Sequence, residues 1–214
     1  MSPDGGATDG AGGLAALLAE ARACRVCAAD LPHPPRPVLR AAAGARLRIV
    51  GQAPGTRVQA SGVPFDDPSG DRLRDWLGID RATFYDEARI AITPMGFCFP
   101  GLDGRGADRP PRRECAPLWQ DRLGAALPAV GLTLLIGQYA QRHHLGARRR
   151  ANLTDTVRAF RDYLPVYLPL PHPSWRNNAW LKRNPWFAEE LLPELRGRVA
   201  ALLADGTSRR EKRS

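Results

Sequence analysis

The sequence contains no run of about 18 consecutive apolar residues, and it does not open with a charged segment followed by a short apolar one. The first absence argues against a membrane-spanning helix, and the second argues against an export signal. We therefore expect a cytoplasmic protein, associated with the nucleoid if it is bacterial, that has no membrane partner.

Lysine is rare in the chain. Of the 31 Lys and Arg residues, only Lys182 and Lys212 are lysines. The formal net charge is nevertheless +9, and the sequence pI is about 10.2. A strongly basic protein suits a polyanionic partner such as nucleic acid. A strong preference for arginine also arises from the base composition of a genome, so the charge alone leaves both explanations open.

Internal repeats are absent, and compositional bias is confined to the two ends of the chain. Residues 1–13 are mostly Gly, Ala and Asp, and residues 205–214 are polar and charged, so we expect both segments to be disordered. The chain has 214 residues and 43% hydrophobic content, which is enough for one sizeable core. The expected organisation is one domain over residues 14–204.

Short apolar segments alternate with helical patterns through this domain. Strands are predicted at residues 47–50, 88–93, 132–137 and 166–170, and helices at residues 14–23, 71–77, 113–127, 139–145 and 185–203. Alternation of this kind is typical of a mainly parallel sheet covered by helices on both faces. A long irregular segment follows the second strand, and loops longer than about 12 residues are usually functional or disordered.

A loop with two glycines directly follows the first strand. Its residues are Gly51, Gln52, Ala53, Pro54 and Gly55. In open α/β sheets, ligands bind beyond the carboxyl ends of the strands, and glycines let backbone N–H groups approach a ligand closely. The loop therefore marks a candidate binding site, although an ordinary turn after a strand has the same pattern.

The chain has four cysteines, Cys24, Cys27, Cys98 and Cys115. A reducing compartment disfavours disulfides, so a clustered set of thiols suits a metal site, either zinc or an iron-sulfur cluster. Only the first pair has the short spacing of a zinc knuckle, and the second pair spans a loop, which favours iron-sulfur. Four unrelated buried cysteines remain the alternative.

Five local signals occur in an order that matches one family. They are Cys24 with Cys27, the glycine loop, Gly62-Val63-Pro64-Phe65, the pair Cys98 and Cys115 around a long loop, and His172-Pro173-Ser174. Together they make the chain resemble the uracil-DNA glycosylase superfamily, particularly its iron-sulfur branches, called families four and five. The resemblance runs from about residue 24 to residue 203.

This resemblance implies a three-layer α/β/α sandwich with a central four-stranded parallel sheet. It implies hydrolysis of the N-glycosidic bond between uracil and deoxyribose, which leaves an abasic site, and a [4Fe-4S] cluster held by the four cysteines. The expected partner is single- or double-stranded DNA that contains uracil, bound by a monomer. Such enzymes extrude the base from the helix into a pocket.

The resemblance also implies roles for single residues. Phe65 matches the aromatic residue that stacks on the extruded base, and a core position is its alternative. His172 matches the histidine that donates a hydrogen bond to the uracil carbonyl oxygen as the departing base becomes anionic. Ser174 is available for a DNA phosphate.

The glycine loop departs from the family because it carries no carboxylate. The best-known branch has an aspartate where this chain has Ala53, and family four has a glutamate where it has Gln52. Gln52 can hold a water molecule but cannot accept a proton, so Asp66 and Asp67 become candidates. Loop capping is the alternative for both aspartates.

A second departure follows the second strand, where related enzymes have an asparagine that reads the uracil edge and this chain has Thr93. This substitution weakens the expectation of strict uracil specificity. Beyond Ser174, the side chain of Trp175 or Arg176 is predicted to fill the space that the base leaves, with a surface turn as the alternative. Arg148–Arg150 and Lys182 with Arg183 are candidates for phosphate contacts or a solvated basic face.

Three functions are consistent with these residues. The first is a uracil-DNA glycosylase, and the second is a glycosylase for another deaminated base, such as hypoxanthine or xanthine. The third is a catalytically weak DNA-binding protein that uses its iron-sulfur cluster structurally.

Overall fold

The structure, a computed structural model, describes residues 10–211 and the side chains of residues 12–204. Its centre is a sheet of four parallel strands, β1 (Leu47–Val50), β2 (Ile90–Ile92), β3 (Leu132–Ile136) and β4 (Tyr167–Leu170). The strand order is β2-β1-β3-β4, and Ile49 lies opposite both Ile92 and Leu134. The predicted parallel sheet is confirmed.

Helices cover both faces of the sheet. They are α1 (Gly10–Ala23), α2 (Thr56–Ser61), α3 (Pro68–Leu77), α4 (Arg81–Tyr85), α5 (Cys115–Ala125), α6 (Gly137–Leu145), α7 (Leu153–Arg158), α8 (Asn178–Arg183) and α9 (Leu192–Glu211). Single turns of 3-10 helix span Ala28–Asp30, Gly146–Arg148, Phe160–Tyr163 and Trp175–Asn177, and a π-helical turn spans Phe187–Leu191. Within the described range, no helix is both long and apolar enough to cross a membrane.

The two faces of the sheet belong to different apolar clusters, because successive residues of a strand point to opposite sides. Leu47 and Ile49 pack with residues of α3 and α9, while Val50 packs with residues of α6. Ala91 joins a further cluster built from α1 and α5. The three-layer α/β/α architecture implied by the resemblance is therefore confirmed.

Several boundaries differ from those predicted. Helix α1 begins at Gly10 rather than at residue 14, and α9 continues to Glu211 rather than ending at residue 203. Residues 10–13 and 205–211 are thus helical, while the rest of the two expected disordered ends, residues 1–9 and 212–214, lies outside the described residues. The prediction missed α2, α4, α7 and α8, because helices of five or six residues are too short to show a helical period.

A half-buried histidine in α6, whose Nε2 atom is shielded from solvent, is expected to make the stability of the fold depend on pH. Burial lowers the pKa of His144 to about 3, with help from the nearby Arg48 guanidinium and His143. Its Nε2 atom has no hydrogen-bond partner among the described residues. In the unfolded chain its pKa returns to about 6.5. Between these two values only the unfolded state binds the proton, so stability is full above pH 6.5 and falls as the pH decreases toward 3.

We therefore expect His144→Asn to reduce the loss of Tm between pH 7.5 and pH 5, measured by thermal unfolding in matched buffers. His33→Asn is the control because His33 is exposed, and it should leave that loss unchanged. An equal or larger loss of Tm in His144→Asn would show that His144 is not the responsible group.

Candidate active site

A cleft opens at the carboxyl-terminal edge of the sheet, where ligands bind in open α/β folds. Its volume is about 580 Å³, within the range of small-molecule pockets. Four segments supply most of its walls: the glycine loop after β1, the segment from residue 64 into α3, the long loop after β2 and the loop after β4. The lining includes Gly51, Gln52, Ala53, Pro54, Gly55, Phe65, Asp67, Arg72, Pro94, Asp108, His172, Ser174, Trp175 and Arg176.

The glycine loop is fixed in place by backbone hydrogen bonds. Met95 N donates to Gly51 O and Gly96 N donates to Gln52 O, both at 2.9 Å. A Cβ atom on residue 51 would lie 3.2 Å from Cζ of Phe65, so the glycine lets the phenylalanine ring lie close against the loop. The side chain of Gln52 donates from Nε2 to Arg109 O at 3.4 Å and thereby ties the glycine loop to the long loop.

Phe65 has a backbone conformation that is rare for a residue with a side chain. Its φ is +56°, in the left-handed region, which costs roughly 1–3 kcal/mol and persists only where the surroundings enforce it. Tyr85 Oη donates to Pro64 O at 2.9 Å and to Phe65 O at 3.2 Å. A Cβ atom on Gly70 would lie 1.8 Å from Phe65 O, so only glycine fits there. The ring lines the cleft and also packs against the core.

His172 follows β4 and is held at both its ring and its backbone. Ser174 N donates to Nδ1 of His172 at 3.2 Å, and Asn177 Nδ2 donates to His172 O at 2.7 Å. Burial lowers the pKa of His172, Asp67 opposes this shift and Arg176 reinforces it. The ring is therefore neutral at neutral pH, and because Nδ1 accepts a hydrogen bond, its proton is on Nε2.

The two predicted carboxylates occupy different environments. Asp66 forms an ion pair with Arg81 at 3.0 Å, which holds the pKa of Asp66 below its usual value, and it is not among the residues that line the cleft. Asp67 does line the cleft, but its Oδ1 accepts from Gly70 N at 2.9 Å and caps α3. The capping interpretation thus applies to Asp67, and the structure brings only this one of the pair to the cleft.

The structure does not bring Thr93 into the cleft. Thr93 is fully buried, and its hydroxyl accepts from Arg48 Nε at 2.8 Å. Arg48 also donates to Gln120 Oε1 at 2.7 Å, and Gln120 Nε2 donates to Pro94 O at 2.8 Å. Pro94, the next residue along the chain, lines the cleft in its stead. The end of β2 therefore presents a side chain without hydrogen-bonding groups.

The rim of the cleft carries an exposed aromatic residue beside a basic one. Trp175 has 69% of its surface exposed, and the Arg176 guanidinium lies 5.4 Å from the centre of its ring. Ser174 Oγ accepts from Arg176 N at 3.3 Å, and Arg72 Nη1 donates to Ser174 O at 3.1 Å. The structure thus brings Ser174, Trp175 and Arg176 together at the entrance.

The arginine triplet is not at this entrance. Arg150 forms an ion pair with Asp162 at 2.5 Å, and the Arg148 guanidinium lies 5.7 Å from the ring centre of Tyr163. These residues do not line the cleft. Their partners favour the interpretation of a solvated basic face.

The sequence-based reasoning missed Asp108, which lines the cleft from the long loop. An antiparallel bridge joins Leu102 to Asp108, and Oδ1 of Asp103 accepts from Arg105 N at 2.8 Å and Ala107 N at 2.9 Å. These contacts make an ordered turn of a segment that the sequence shows only as irregular. The unusual length of that loop between Cys98 and Cys115 was the one signal available.

All four cysteines line a second, smaller cavity. Its other walls are mostly apolar and include Val26, Leu31, Pro35, Pro37, Phe97, Leu118 and Trp119. Phe97 N donates to Cys115 Sγ at 3.4 Å, and burial raises the pKa of Cys98 to about 11 and of Cys115 to about 12. Within the part of the chain that is described, no three His, Cys, Asp or Glu side chains group closely enough to hold a single metal ion.

The chain is thus a parallel α/β/α protein whose cleft, at the carboxyl-terminal edge of the sheet, holds an aromatic ring and a histidine. An aromatic face can stack on a planar ring, and a neutral imidazole N–H can donate a hydrogen bond. The family model of the Uracil DNA glycosylase superfamily matches residues 40–196, and the chain belongs to this superfamily. The protein is therefore a DNA glycosylase, a hydrolase that removes deaminated bases in base excision repair.

The resemblance to the superfamily is thus confirmed. The matched segment, residues 40–196, includes Cys98 and Cys115 but begins after Cys24 and Cys27. Membership of the iron-sulfur branches stays a prediction.

Proposed function

We propose that this glycosylase removes uracil from single- or double-stranded DNA, as a monomer in the cytoplasm, and leaves an abasic site. The observation that carries the proposal is the placement of Phe65 and His172 in one cleft against the glycine loop. These two side chains supply the two things that excision of a base requires, a face that holds it and a donor that stabilises its departure.

The base reaches the cleft by leaving the helix, since no protein group can reach its glycosidic bond inside the stack. The ring of Phe65 stacks on the extruded base, and its fixed left-handed backbone keeps the ring in position before DNA binds. The glycine loop lies beside the stacked base, because Gly51 leaves room for the Phe65 ring against it. Trp175 or Arg176 at the rim fills the gap in the duplex, while Ser174 contacts a phosphate.

Breaking the glycosidic bond leaves negative charge on uracil. The Nε2–H group of neutral His172 donates a hydrogen bond to the carbonyl oxygen on which this charge develops. Because Ser174 N already holds the ring and Asn177 holds the backbone of His172, little reorganisation is needed during the reaction. Stabilisation of the leaving group is thus the main catalytic contribution that we assign to the chain's own residues.

We further propose that Cys24, Cys27, Cys98 and Cys115 hold a [4Fe-4S] cluster. The donor set fits, because four thiols line one cavity with mostly apolar walls, and thiolates are the usual ligands of such clusters. When bound, the cluster would link the end of α1 to both ends of the long loop and could exchange one electron.

A second candidate function is excision of another deaminated base, such as hypoxanthine or xanthine. It is favoured by the end of β2, where Pro94 lines the cleft and the carbonyl oxygens of Thr93 and Pro94 accept hydrogen bonds from Gln120. This wall has little capacity left to read the edge of a base. A cleft of about 580 Å³ also leaves room for a purine.

One assay tests the proposal and separates the candidates. Purified protein is incubated with single- and double-stranded oligonucleotides that each carry one uracil, hypoxanthine or xanthine, and the abasic sites are then cleaved with alkali. We expect the fastest strand cleavage with uracil. Faster release of a purine would establish the second candidate, and release of no base would contradict both.

A further inference from the structure

The cleft contains two carboxylates, although the glycine loop supplies neither. Among the described lining residues these are Asp67, at the start of α3, and Asp108, in the long loop. A carboxylate near the glycosidic bond can orient the attacking water and accept its proton. The geometry of the two side chains decides which of them is placed for this role.

Asp108 lies directly over the glycine loop. A Cβ atom built on Gly55 would be 3.6 Å from Oδ2 and 3.9 Å from Oδ1 of Asp108. The absence of a side chain at residue 55 is therefore what lets this carboxylate rest on the loop. It reaches a loop, residues 51–55, that contains no carboxylate of its own.

The backbone around Asp108 is held on both sides. Asp108 itself pairs with Leu102, Arg109 N donates to Gly101 O at 2.9 Å, and Arg109 O accepts from Gln52 Nε2 at 3.4 Å. Within the described part of the chain, no hydrogen bond or ion pair is made to the Asp108 carboxylate. The backbone therefore holds the Asp108 carboxylate in place, and its oxygens can accept hydrogen bonds from a water molecule in the open cleft.

Asp67 is less suited, because one of its oxygens already caps α3. Two charged groups face Asp108, namely Asp67 across the cleft and Arg176 from the loop after β4. Asp108 is exposed as a residue, but partial desolvation of its carboxylate raises its pKa, while Arg176 lowers it and Asp67 raises it. A carboxylate with a raised pKa is a better proton acceptor than an ordinary one, provided that it is ionised.

We propose that Asp108 orients the attacking water and accepts its proton during base release, a role that rests on the proposed glycosylase function. The water oxygen forms a bond to C1′ of the deoxyribose as the bond from C1′ to the base nitrogen breaks. The electron pair of that bond leaves with the base, which His172 stabilises, and the proton of the water passes to the Asp108 carboxylate. The chain thus delivers from the long loop the carboxylate that its glycine loop lacks.

The test is the single-turnover rate of base release from a uracil-containing strand, compared for Asp108→Asn, Asp108→Glu and Asp67→Asn. Asp75→Asn is the control, since it makes the same charge change on an exposed side chain of α3. We expect Asp108→Asn to lose about 100-fold or more in rate, with unchanged Tm and undiminished DNA affinity. Asp108→Glu should recover part of the rate, Asp67→Asn should lose less, and Asp75→Asn should match the wild type.

A pH profile adds a readout that a purely structural role would not change. The wild-type rate should fall tenfold per pH unit below the pKa of Asp108, and this limb should be absent in Asp108→Asn. If the wild type releases base and Asp108→Asn does so at a rate within threefold of the wild-type rate, the role of Asp108 is wrong and the proposed function stands. A wild-type protein that releases no base would overturn both.

Discussion

Replacing His172 with alanine should lower the single-turnover rate of base release about 100- to 1000-fold while DNA affinity stays near that of the wild type. The reason is that the Nε2–H group of His172 is the preorganised donor to the departing base. Removal of the ring takes away a hydrogen bond that strengthens only as negative charge develops on the departing base. The rate of bond cleavage therefore falls, while DNA affinity does not. Pre-mixed enzyme and uracil-containing DNA, sampled over time, give the rate, and fluorescence anisotropy gives the affinity.

His33→Ala is the matched control, because His33 is exposed and does not line the cleft. It should retain the wild-type rate. Since burial lowers the pKa of His172, any loss of rate through protonation of this histidine should begin at a lower pH than for an ordinary histidine. If His172→Ala released base at nearly the wild-type rate, the leaving-group mechanism and the assignment of His172 would both be wrong.

Replacing Cys115 with serine should remove the visible colour and most of the iron from the purified protein. Cys115 begins α5, its Sγ accepts from Phe97 N at 3.4 Å, and it lines the cavity together with the other three cysteines. The wild type should contain about four iron atoms per chain, as a [4Fe-4S] cluster requires. Elemental analysis and the visible absorption spectrum measure both quantities.

Loss of the cluster should also destabilise the fold, because binding of a group that the unfolded chain cannot hold contributes to folding. We expect a lower Tm and faster proteolysis between residues 98 and 115, the segment that carries Asp108. Val26→Ala is the control, because Val26 lines the same cavity without a thiol. Zinc without iron in the wild type would contradict the cluster but keep a four-thiol site. A wild type with no metal and four titratable thiols would contradict the site itself.

The sequence by itself determined the features that depend on neighbouring residues. Alternation of short apolar segments with helical patterns predicted the parallel sheet, since burial on both faces demands such strands. Gly51 and Gly55 after the first strand, and His172 after the fourth, marked the correct edge of the sheet, because parallel strands all end there. Phe65 was singled out through a resemblance in its local motif, and the structure places it in the cleft, while its role stays a prediction.

The tertiary structure decided everything that depends on contacts between distant segments. Asp66 and Asp67 are adjacent and share one sequence context, so the sequence does not show which of them reaches the cleft. In the fold, Asp66 pairs with Arg81 and Asp67 lines the cleft. Likewise, the Thr93 hydroxyl accepts a hydrogen bond from the buried Arg48, and Pro94 lines the cleft in place of Thr93. Asp108 meets Gly55 only because an ordered turn brings the long loop against the glycine loop. A contact of that kind is set by packing and hydrogen bonds across the fold, and no local pattern in the sequence encodes it.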